Sequence, residues 1–387
     1  MAEHCVLLLS RRGDREAGEV TALLRRIGVP VHRLDADGLA GVGAVVGPDG
    51  ELTLGGRRLA PTVTWLRHFS LRSAPAGGPG SAGGVPGGRS GAGPGGAKGG
   101  GPGGMGGGPG GGPGGAQGAG PGGAPVPGPG GGAAAGRMAY RDAWTALARQ
   151  IALASPAAIG ATDPGQLTQR ARARALGLRT PRSLVTTDPS AAAALLPAPR
   201  YVLKVLDRHV VEPEPGRLAW YLPRVLDRGS LAAGLPGLPP GTPLVLQEYV
   251  AHDTELRVYL AGQELHAFEV AKDDPRDIWD RPDAVGVRHV PAPPAVAAAA
   301  RALADSWGLV YGAFDFLSDR GEPVFLEVNA HGDWHWFERK AGVDAVTRAA
   351  VRAVRDLHRN ALGRARPRPV DLLSFLGAGA PAGPPPA

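Results

Sequence analysis

The sequence nearly lacks cysteine: its 387 residues include only Cys5. A single cysteine excludes an internal disulfide framework and a cysteine-rich zinc module. Long apolar runs are missing near the start as well, where residues 6–9 are far too few for a secretory or membrane-spanning segment. The sequence therefore predicts a cytoplasmic protein without a membrane partner.

Lysine is also scarce, since only four of the 42 basic residues are lysines: Lys98, Lys204, Lys272 and Lys340. The 35 acidic residues leave a formal net charge of +7, and most of the arginines are dispersed along the chain. A glycine/arginine tract that binds RNA would need repeated arginines, but the glycine-rich segment contains only Arg89. We therefore expect no nucleic-acid partner, and the sequence leaves open whether the protein forms a homo-oligomer.

Glycine and proline, by contrast, make up about a quarter of the chain, and their excess is concentrated. Residues 74–136 hold 33 of the 62 glycines and 11 of the 39 prolines. The glycines keep no strict three-residue period, which excludes a collagen helix. Such a composition cannot bury enough apolar surface to offset chain entropy. It predicts a disordered insert, and a tethered binding arm is the alternative.

The remaining sequence predicts an α/β (α+β) fold. An apolar strand at residues 6–10, an amphipathic helix at 16–27 and a strand at 29–34 favour a parallel strand pair. We expect further strands at 63–66 and 201–206, and three consecutive strands between 244 and 270. Further helices are expected at 140–153 and 165–176.

The most informative segment is a predicted acidic hairpin at residues 312–329. Its apolar runs flank residues 319–321, which read as a three-residue loop. Because side chains alternate along a strand, this register places Asp315, Glu327 and Asn329 on one face. Asp315 and Glu327 become diagonal neighbours, with β-carbons about 7–8 Å apart. Two carboxylates and an amide at this spacing suit Mg²⁺, which prefers hard oxygen ligands.

The other face of this hairpin is predicted to be apolar and to carry Phe314, Phe316, Leu326 and Val328. The alternative interpretation of the acids is an ordinary solvent-facing sheet surface. A change of one residue in the loop register would move Glu327 to the opposite face. The hairpin by itself therefore leaves both interpretations open.

Lys204 gives a second, independent indication of a site. In a chain dominated by arginine, a retained lysine indicates that a compact ammonium is needed rather than a planar guanidinium. The residue lies in the apolar segment 201–206, from which it can project toward a pocket and pair with phosphate oxygens. The alternative is a lysine at a strand edge that reaches solvent.

A third element is the apolar segment 244–250, which becomes polar at its end with Gln247, Glu248, Tyr249 and Val250. Such a strand end can offer backbone groups to a planar base, with Glu248 available to a ribose hydroxyl. An ordinary core strand is equally compatible with the pattern.

Taken in chain order, these elements resemble the ATP-grasp ligases: Lys204, residues 247–250, Glu255-Leu-Arg257-Val, Asp315 and Leu-Glu327-Val-Asn329. More closely, the chain resembles the ATP-grasp maturases of ribosomally made peptides, the microviridin/graspetide type. Its opening domain, with Trp65-Leu-Arg67, is similar to their pre-ATP-grasp domain. Segments 177–184 and 204–225 carry further resemblance.

The resemblance implies an ATP-grasp fold of two α/β subdomains preceded by a small α/β pre-ATP-grasp domain. The implied boundaries are residues 1–160 for the first domain, interrupted by the insert, 161–245 for the nucleotide-binding subdomain and 246–365 for the metal and catalytic subdomain. A disordered tail follows at 366–387.

The resemblance also implies ATP and Mg²⁺ as cofactors and assigns roles to residues. Lys204 would bind the phosphates, and Gln247, Glu248, Tyr249 and Val250 would bind adenine. Arg257 is a candidate for the γ-phosphate or an acyl phosphate, the alternative being a surface arginine paired with Glu255. Asp315, Glu327 and Asn329 would hold Mg²⁺.

The implied activity is that of a carboxylate ligase. A side-chain carboxylate of a ribosomal precursor peptide would become an acyl phosphate, and a hydroxyl or amine would then form an ester or amide. Two alternatives stay open: a ligase that joins a free amino acid to a small molecule or protein terminus, and a nucleotide-binding scaffold impaired in catalysis. The second is motivated by Gln166, which stands where ATP-grasp ligases commonly carry a lysine.

Overall fold

The computed structural model describes residues 2–47, 51–69, 129–206, 209–214 and 217–363. The predicted tail, and the predicted insert up to residue 128, lie outside the described residues. The chain divides into two units, one formed by residues 1–75 and 140–387 and the other by residues 76–139. The fold and site below belong to the first unit.

The first sheet comprises β1 (Glu3–Ser10), β2 (Val31–Asp35), β3 (Ala44–Val46), β4 (Leu52–Leu54), β5 (Arg57–Leu66) and β6 (Ala157–Ile159), with helices α1 (Arg15–Arg26) and α2 (Pro129–Ala154). The strand order is β2-β1-β5-β4-β3, and β6 pairs with β5. β1 is parallel to both β2 and β5, which confirms the predicted parallel start.

Helix α1 begins where the sequence supplies a cap. The Asp14 side chain accepts the Ala17 N–H at 2.9 Å, and Val20 and Leu24 are fully buried. Helix α2 begins at Pro129, earlier than predicted and inside the range assigned to the disordered insert. Its first turns contain the alanines 133–135, and alanine has the highest helix propensity.

The second sheet contains β7 (Ser183–Thr186), β8 (Tyr201–Val205), β11 (Arg224–Leu226) and β12 (Leu244–Glu248), in the order β11-β8-β12-β7. β9 (Val210–Glu214) and β10 (Arg217–Trp220) form a separate hairpin, and the helices of this region are α3 (Gln166–Ala175) and α4 (Pro189–Ala192). Because β12 pairs within this sheet, the boundary expected at 245/246 would cut a strand.

The third sheet contains β13 (Thr254–Ala261), β14 (Glu264–Ala271), β15 (Gly286–Val290), β16 (Tyr311–Asp319) and β17 (Glu322–Asn329), with helices α5 (Asp277–Asp280), α6 (Pro294–Trp307), α7 (His335–Ala341) and α8 (Ala345–Ala361). The strand order is β15-β14-β13-β16-β17, and every neighbouring pair is antiparallel. Helix α6 covers one face of this sheet. The other face shares a core with α8 and the first sheet.

The turn between β16 and β17 corrects the predicted register. Asp319 pairs with Glu322, so the loop has two residues, Arg320 and Gly321, and both have positive φ. The predicted three-residue loop is wrong because Arg320 adopts the left-handed conformation of a tight hairpin turn. A bulge then shifts the register between Asp315 and Phe316.

The bulge also changes one residue of the predicted apolar face. Phe325 pairs with Phe316 and is 1% exposed, in the same core cluster as Phe314 and Val328. Leu326, predicted for that face, is the extra residue of the bulge and is only partly buried. The loop and the bulge each move the register by one residue, so Glu327 stays on the predicted face.

Among the described residues, none of the helices combines the length and the apolar composition required to cross a membrane.

Candidate functional site

The acidic residues lie on one face of the third sheet, where neighbouring strands place them side by side. Asp315 on β16 is directly opposite Glu327 on β17, and Asn329 is opposite Ala313 on the same face. The two acids are therefore direct cross-strand partners rather than the predicted diagonal neighbours. Direct partners have closer β-carbons than diagonal ones, so like charges repel more strongly unless cations intervene.

Arg257 is the cation for Asp315. It is opposite Asp315 in the β13–β16 register, and its Nη1 donates to both carboxylate oxygens, at 2.8 and 2.7 Å. Its guanidinium also lies over the Phe337 ring, 5.6 Å from the centroid. The alternative that pairs Arg257 with Glu255 is wrong, because Glu255 bonds to Lys272 instead.

Lys204 is the cation for Glu327, and it comes from the second sheet. Its Nζ donates to Glu327 Oε2 at 2.6 Å, and only 8% of its side chain is exposed. The interpretation as a lysine reaching solvent is therefore wrong. The pair joins β8 to β17, so the nucleotide-binding and metal halves predicted from the sequence meet at this contact.

The two carboxyl groups have pKa values that move in opposite directions. Burial raises the pKa of Asp315, and the charge of Glu327 adds to this although Arg257 opposes it. Burial also raises the pKa of Glu327, but Lys204 and then His209 outweigh it and bring that pKa to about 2. Two neighbouring carboxyl groups with separated pKa values are typical of a functional site.

Lys272 and Glu255 form a third ion pair on this face, which was not predicted from the sequence. The Lys272 Nζ bonds to the Glu255 carboxylate, and the two side chains are 8% and 18% exposed. Glu255 is two residues from Arg257 on β13, and its charge acts on Asp315. The scarcity of lysine, which singled out Lys204, could have identified Lys272 in the same way.

The edge strand β17 is held in place by a glutamine from α3. The Gln169 side chain donates to Val328 O at 2.9 Å and accepts from Val328 N at 2.8 Å. This double contact imitates a neighbouring strand, and it fixes the backbone between Glu327 and Asn329. Gln169 was not identified from the sequence, because the pattern predicts the helix but not which of its sides packs against β17.

The donor set suits a magnesium ion. Two opposed carboxylates and a nearby amide supply hard oxygen ligands on one face. Among the described residues, no group of three or more His, Cys, Asp or Glu side chains could hold a metal ion, so Asp315 and Glu327 would share the ion with non-carboxylate oxygens. Binding would require the carboxylates to exchange part of their contacts with Lys204 and Arg257.

The segment predicted to meet adenine is already engaged in several contacts. The Glu248 carboxylate accepts from Arg182 N and Nε at 2.8 and 2.7 Å, in the place of the expected ribose hydroxyl. The N–H groups of Glu248 and Tyr249 donate to the carbonyls of Arg182 and Arg200, each at 3.0 Å. Gln247 is 6% exposed within β12, and Arg200 lies over the Tyr249 ring at 3.9 Å.

Val250 is the remaining member of that segment. Its carbonyl oxygen lies 3.0 Å from His252 Nδ1. The N–H groups of Glu248 and Tyr249 already donate to protein carbonyls. An adenine base at this strand end would therefore have to bond to backbone carbonyl groups and to the backbone of Val250. The adenine assignment therefore stays a prediction.

A second buried charge cluster lies beside the site and is centred on Arg67. The Arg67 side chain is 1% exposed, and its Nε lies 3.0 Å from Asp14 Oδ2. It also pairs with Asp333, approaches Glu16 at 3.7 Å and donates to Gly332 O at 3.3 Å. This cluster ties the first sheet to the loop that follows Asn329.

A cavity of about 290 Å³ opens next to the Arg67 cluster. Its lining includes Arg11, Arg15 and Arg339, together with Asp333 and Trp336. The three arginines are exposed, and the structure gives their side chains no ion pair among the described residues. The carboxylates of Asp14, Glu16 and Asp333 line the same cavity, so it presents charges of both signs.

Comparisons with known proteins give a fold but no close relative. No protein-family model matches the sequence, and no curated protein matches it. Solved structures do match over nearly the whole chain. The ATP-grasp ligase PsnB, complexed with minimal precursor, Mg and ADP, is 17% identical with a TM-score of 0.61, covering 91% of this chain and 97% of PsnB.

Two further solved structures also match this chain over nearly its whole length. The macrocyclase MdnC from Microcystis aeruginosa MRC, bound with precursor peptide MdnA, is 17% identical with a TM-score of 0.62, covering 90% of this chain and 98% of MdnC. The RiPP-associated ATP-grasp ligase of Chryseobacterium gregarium, in complex with ADP and a leader and core peptide, is 16% identical with a TM-score of 0.60. The match covers 92% of this chain and 97% of that ligase. The fold expected from the sequence is confirmed: the chain has the ATP-grasp fold.

Proposed function

We propose that this protein is an ATP- and Mg²⁺-dependent carboxylate ligase that forms ester or amide bonds in a ribosomally made precursor peptide. The observation that carries the proposal is the Lys204–Glu327 contact at 2.6 Å, which brings the lysine of the second sheet to the acids of the third. The similar structures PsnB and MdnC were solved with precursor peptides, which supports a peptide substrate.

The proposed reaction has two steps. A carboxylate oxygen of the peptide attacks the γ-phosphorus of ATP, the bond to ADP breaks, and an acyl phosphate forms. A hydroxyl or amine then attacks the carbonyl carbon, loses its proton and expels inorganic phosphate, which leaves an ester or amide. In both steps negative charge develops on oxygen atoms, so positioning and charge neutralisation supply most of the catalysis.

The residues of the site match these requirements. Lys204 can exchange its contact with Glu327 for phosphate oxygens, and Arg257 can exchange one oxygen of Asp315 for the transferred group or the peptide carboxylate. Asp315, Glu327 and Asn329 would hold Mg²⁺, which when bound neutralises phosphate oxygens. The arginine-lined cavity would receive acidic residues of the peptide beside the reacting one.

The direct test measures ADP and phosphate release with ATP, Mg²⁺ and a short peptide encoded next to the gene. We expect turnover that needs both Mg²⁺ and peptide, with loss of one water (18 Da) from the peptide for each bond. A matched control peptide replaces its Glu and Asp by Gln and Asn, and we expect no turnover with it. Absence of turnover despite tight ATP binding would establish the scaffold alternative, which Gln166 favours.

A further inference from the structure

A histidine and a carboxylate form a pair in the wall of the cavity beside the Arg67 cluster. His68 and Asp333 both line this cavity, and His68 Nε2 lies 2.8 Å from Asp333 Oδ1. The His68 side chain is 28% exposed, so a substrate can reach it. Its φ is 50°, a left-handed conformation that is uncommon for residues other than glycine. Such backbone conformations are concentrated at functional sites, which makes His68 a candidate for one.

Asp333 determines which nitrogen of the His68 ring is free. Burial alone would raise the pKa of Asp333, but the hydrogen bond from His68 and the charges of His68 and Arg67 hold that pKa well below its usual range. The carboxylate is therefore ionised and accepts, so Nε2 is the donor. Nδ1 then carries the lone pair, and it makes no hydrogen bond among the described residues. An imidazole in this state can take a proton from a substrate, as a general base does.

The pair lies beside Arg257, the residue proposed to bind the transferred group or the peptide carboxylate. Asp333 O accepts from the Tyr259 hydroxyl at 2.5 Å, and the same hydroxyl accepts from Arg257 Nε at 3.3 Å. A Cβ on Gly332, the residue before Asp333, would lie 2.9 Å from Arg257 Nη2. The cavity wall that carries His68 is therefore continuous with the Arg257 side of the cleft.

The charges of the cavity favour a neutral acceptor over an ammonium. The three arginines of the lining have no ion pair among the described residues, whereas its three carboxylates already bond to Arg67, to His68 or to backbone N–H groups. A lysine ammonium would lose its water here, meet unpaired cations and find no free carboxylate. A serine or threonine hydroxyl carries no charge and needs only a group that takes its proton.

We propose that His68 is the general base of the second step and that the acceptor is a serine or threonine hydroxyl, an assignment that rests on the proposed function. The hydroxyl oxygen attacks the carbonyl carbon of the acyl phosphate while His68 Nδ1 takes the proton. The bond from that carbon to the phosphate oxygen breaks, inorganic phosphate leaves and an ester forms. Asp333 stabilises the imidazolium until it returns the proton to solvent.

The test separates the two steps with hydroxylamine, a neutral amine that attacks an acyl phosphate without a general base. Wild type and His68→Asn are assayed with ATP, Mg²⁺ and the peptide encoded next to the gene, with and without hydroxylamine. Asparagine tolerates the left-handed conformation, but its amide cannot take the proton. We expect His68→Asn to lower ester formation about 100- to 1,000-fold, as for loss of a general base, and to leave formation of the peptide hydroxamate unchanged.

Three further variants sharpen the test. His32→Asn is the matched control, because His32 bonds to Glu3 at 2.9 Å on β2, outside the cavity lining, and both products should stay unchanged. Added imidazole should restore part of the ester formation in His68→Gly, since it can occupy the space of the lost ring. Asp333 is a positioning residue, so Asp333→Asn should lower ester formation while the hydroxamate still forms.

Mild alkali identifies the bonds, because it cleaves esters but not amides. Alkali-stable bonds in the wild-type product would overturn the hydroxyl acceptor. Ester formation at the wild-type rate in His68→Asn would overturn the general base, and so would equal losses of ester and hydroxamate or a lack of recovery with imidazole. If wild type yields neither ester nor hydroxamate, the proposed function fails and the assignment of His68 fails with it.

Discussion

Two buried charge clusters lie side by side in this protein, and they differ in how completely their charges are paired. The Arg67 cluster consists of Arg67, Asp14, Glu16 and Asp333. The cleft cluster consists of Lys204, Arg257, Arg170, Asp315 and Glu327.

In the Arg67 cluster each carboxylate has a cation and further donors. Asp14 caps α1, Glu16 accepts the N–H groups of Trp334 and His335, and Asp333 also bonds to His68. In the cleft cluster, three cations share two carboxylates. Arg170 Nη1 has neither a hydrogen bond nor an ion pair among the described residues, whereas Arg67 Nε, which also makes no hydrogen bond there, lies 3.0 Å from the Asp14 carboxylate. We infer that the first cluster holds the fold together and that the second is arranged for an anionic ligand.

The largest expected effect is on turnover and concerns the cleft acids. Asp315→Ala and Glu327→Ala should each lower Mg²⁺-dependent turnover by at least about 100- to 1,000-fold, because each removes a carboxylate that neutralises the metal. Circular dichroism should show a folded protein in both cases. Turnover retained by both variants would refute the metal assignment and would make the cleft cluster another structural one.

The next effect is on stability and concerns the Arg67 cluster. Arg67→Met should lower the free energy of unfolding by about 3–5 kcal/mol, because it leaves buried carboxylates without their cation. The control is Arg58→Met, whose arginine is 58% exposed beside Glu51 and should cost about 1 kcal/mol or less. Urea unfolding measures both. If Arg67→Met and Arg58→Met lower the free energy of unfolding by the same small amount, the Arg67 cluster does not stabilise the fold.

Acid should weaken the cleft pair in a defined pH range. Lys204 helps to lower the pKa of Glu327 from 4.5 to about 2 in the folded protein. A carboxyl group whose folded pKa is lowered adds stability above its unfolded pKa, and this stability is lost as the pH falls from 4.5 toward 2. The full contribution is about 3 kcal/mol.

Urea unfolding of wild type and Lys204→Met at pH 6 and pH 3 tests this pair. Wild type should lose more stability than the variant between the two pH values, since the variant has no lysine to lower the pKa of Glu327. Lys340→Met removes a lysine outside both clusters and should behave like wild type. If wild type and Lys204→Met lose the same amount of unfolding free energy between pH 6 and pH 3, the account is contradicted.

The smallest expected effect concerns Gly332, which contacts both clusters. Its carbonyl accepts from Arg67, and a Cβ at this position would lie 2.4 Å from Ala313 Cβ and 2.9 Å from Arg257 Nη2. Gly332→Ala should therefore destabilise the protein by about 1–3 kcal/mol and lower turnover by displacing Arg257. Gly43→Ala, where a Cβ meets nothing within 4 Å, is the control. Wild-type behaviour of Gly332→Ala would show that the two clusters are independent.

Much of the fold could be predicted because strands and helices carry periodic apolar patterns. The parallel start of the first sheet and the hairpin strands at 311–329 followed from that signal. The hairpin register did not, since Arg320 in a left-handed conformation and the bulge at Leu326 have no clear mark in the sequence. These two shifts cancel at Glu327, so the predicted face was right although the predicted pairing was wrong.

The site was predictable where residue type was informative and unpredictable where tertiary contacts decide. Lys204 stood out because lysine is rare in this chain, and the same argument applies to Lys272. Gln169 could not be found, because an amphipathic interpretation of α3 would place it in solvent and bury Leu167 instead. Only the packing of α3 on β17 shows which side is buried.

The most direct test of the central claim is a crystal structure grown with ADP and Mn²⁺, in which anomalous scattering locates the metal. The account predicts Mn²⁺ bound by Asp315, Glu327 and Asn329, with the ammonium of Lys204 on phosphate oxygens. Metal or nucleotide bound elsewhere, with the Lys204–Glu327 and Arg257–Asp315 pairs unchanged, would contradict it.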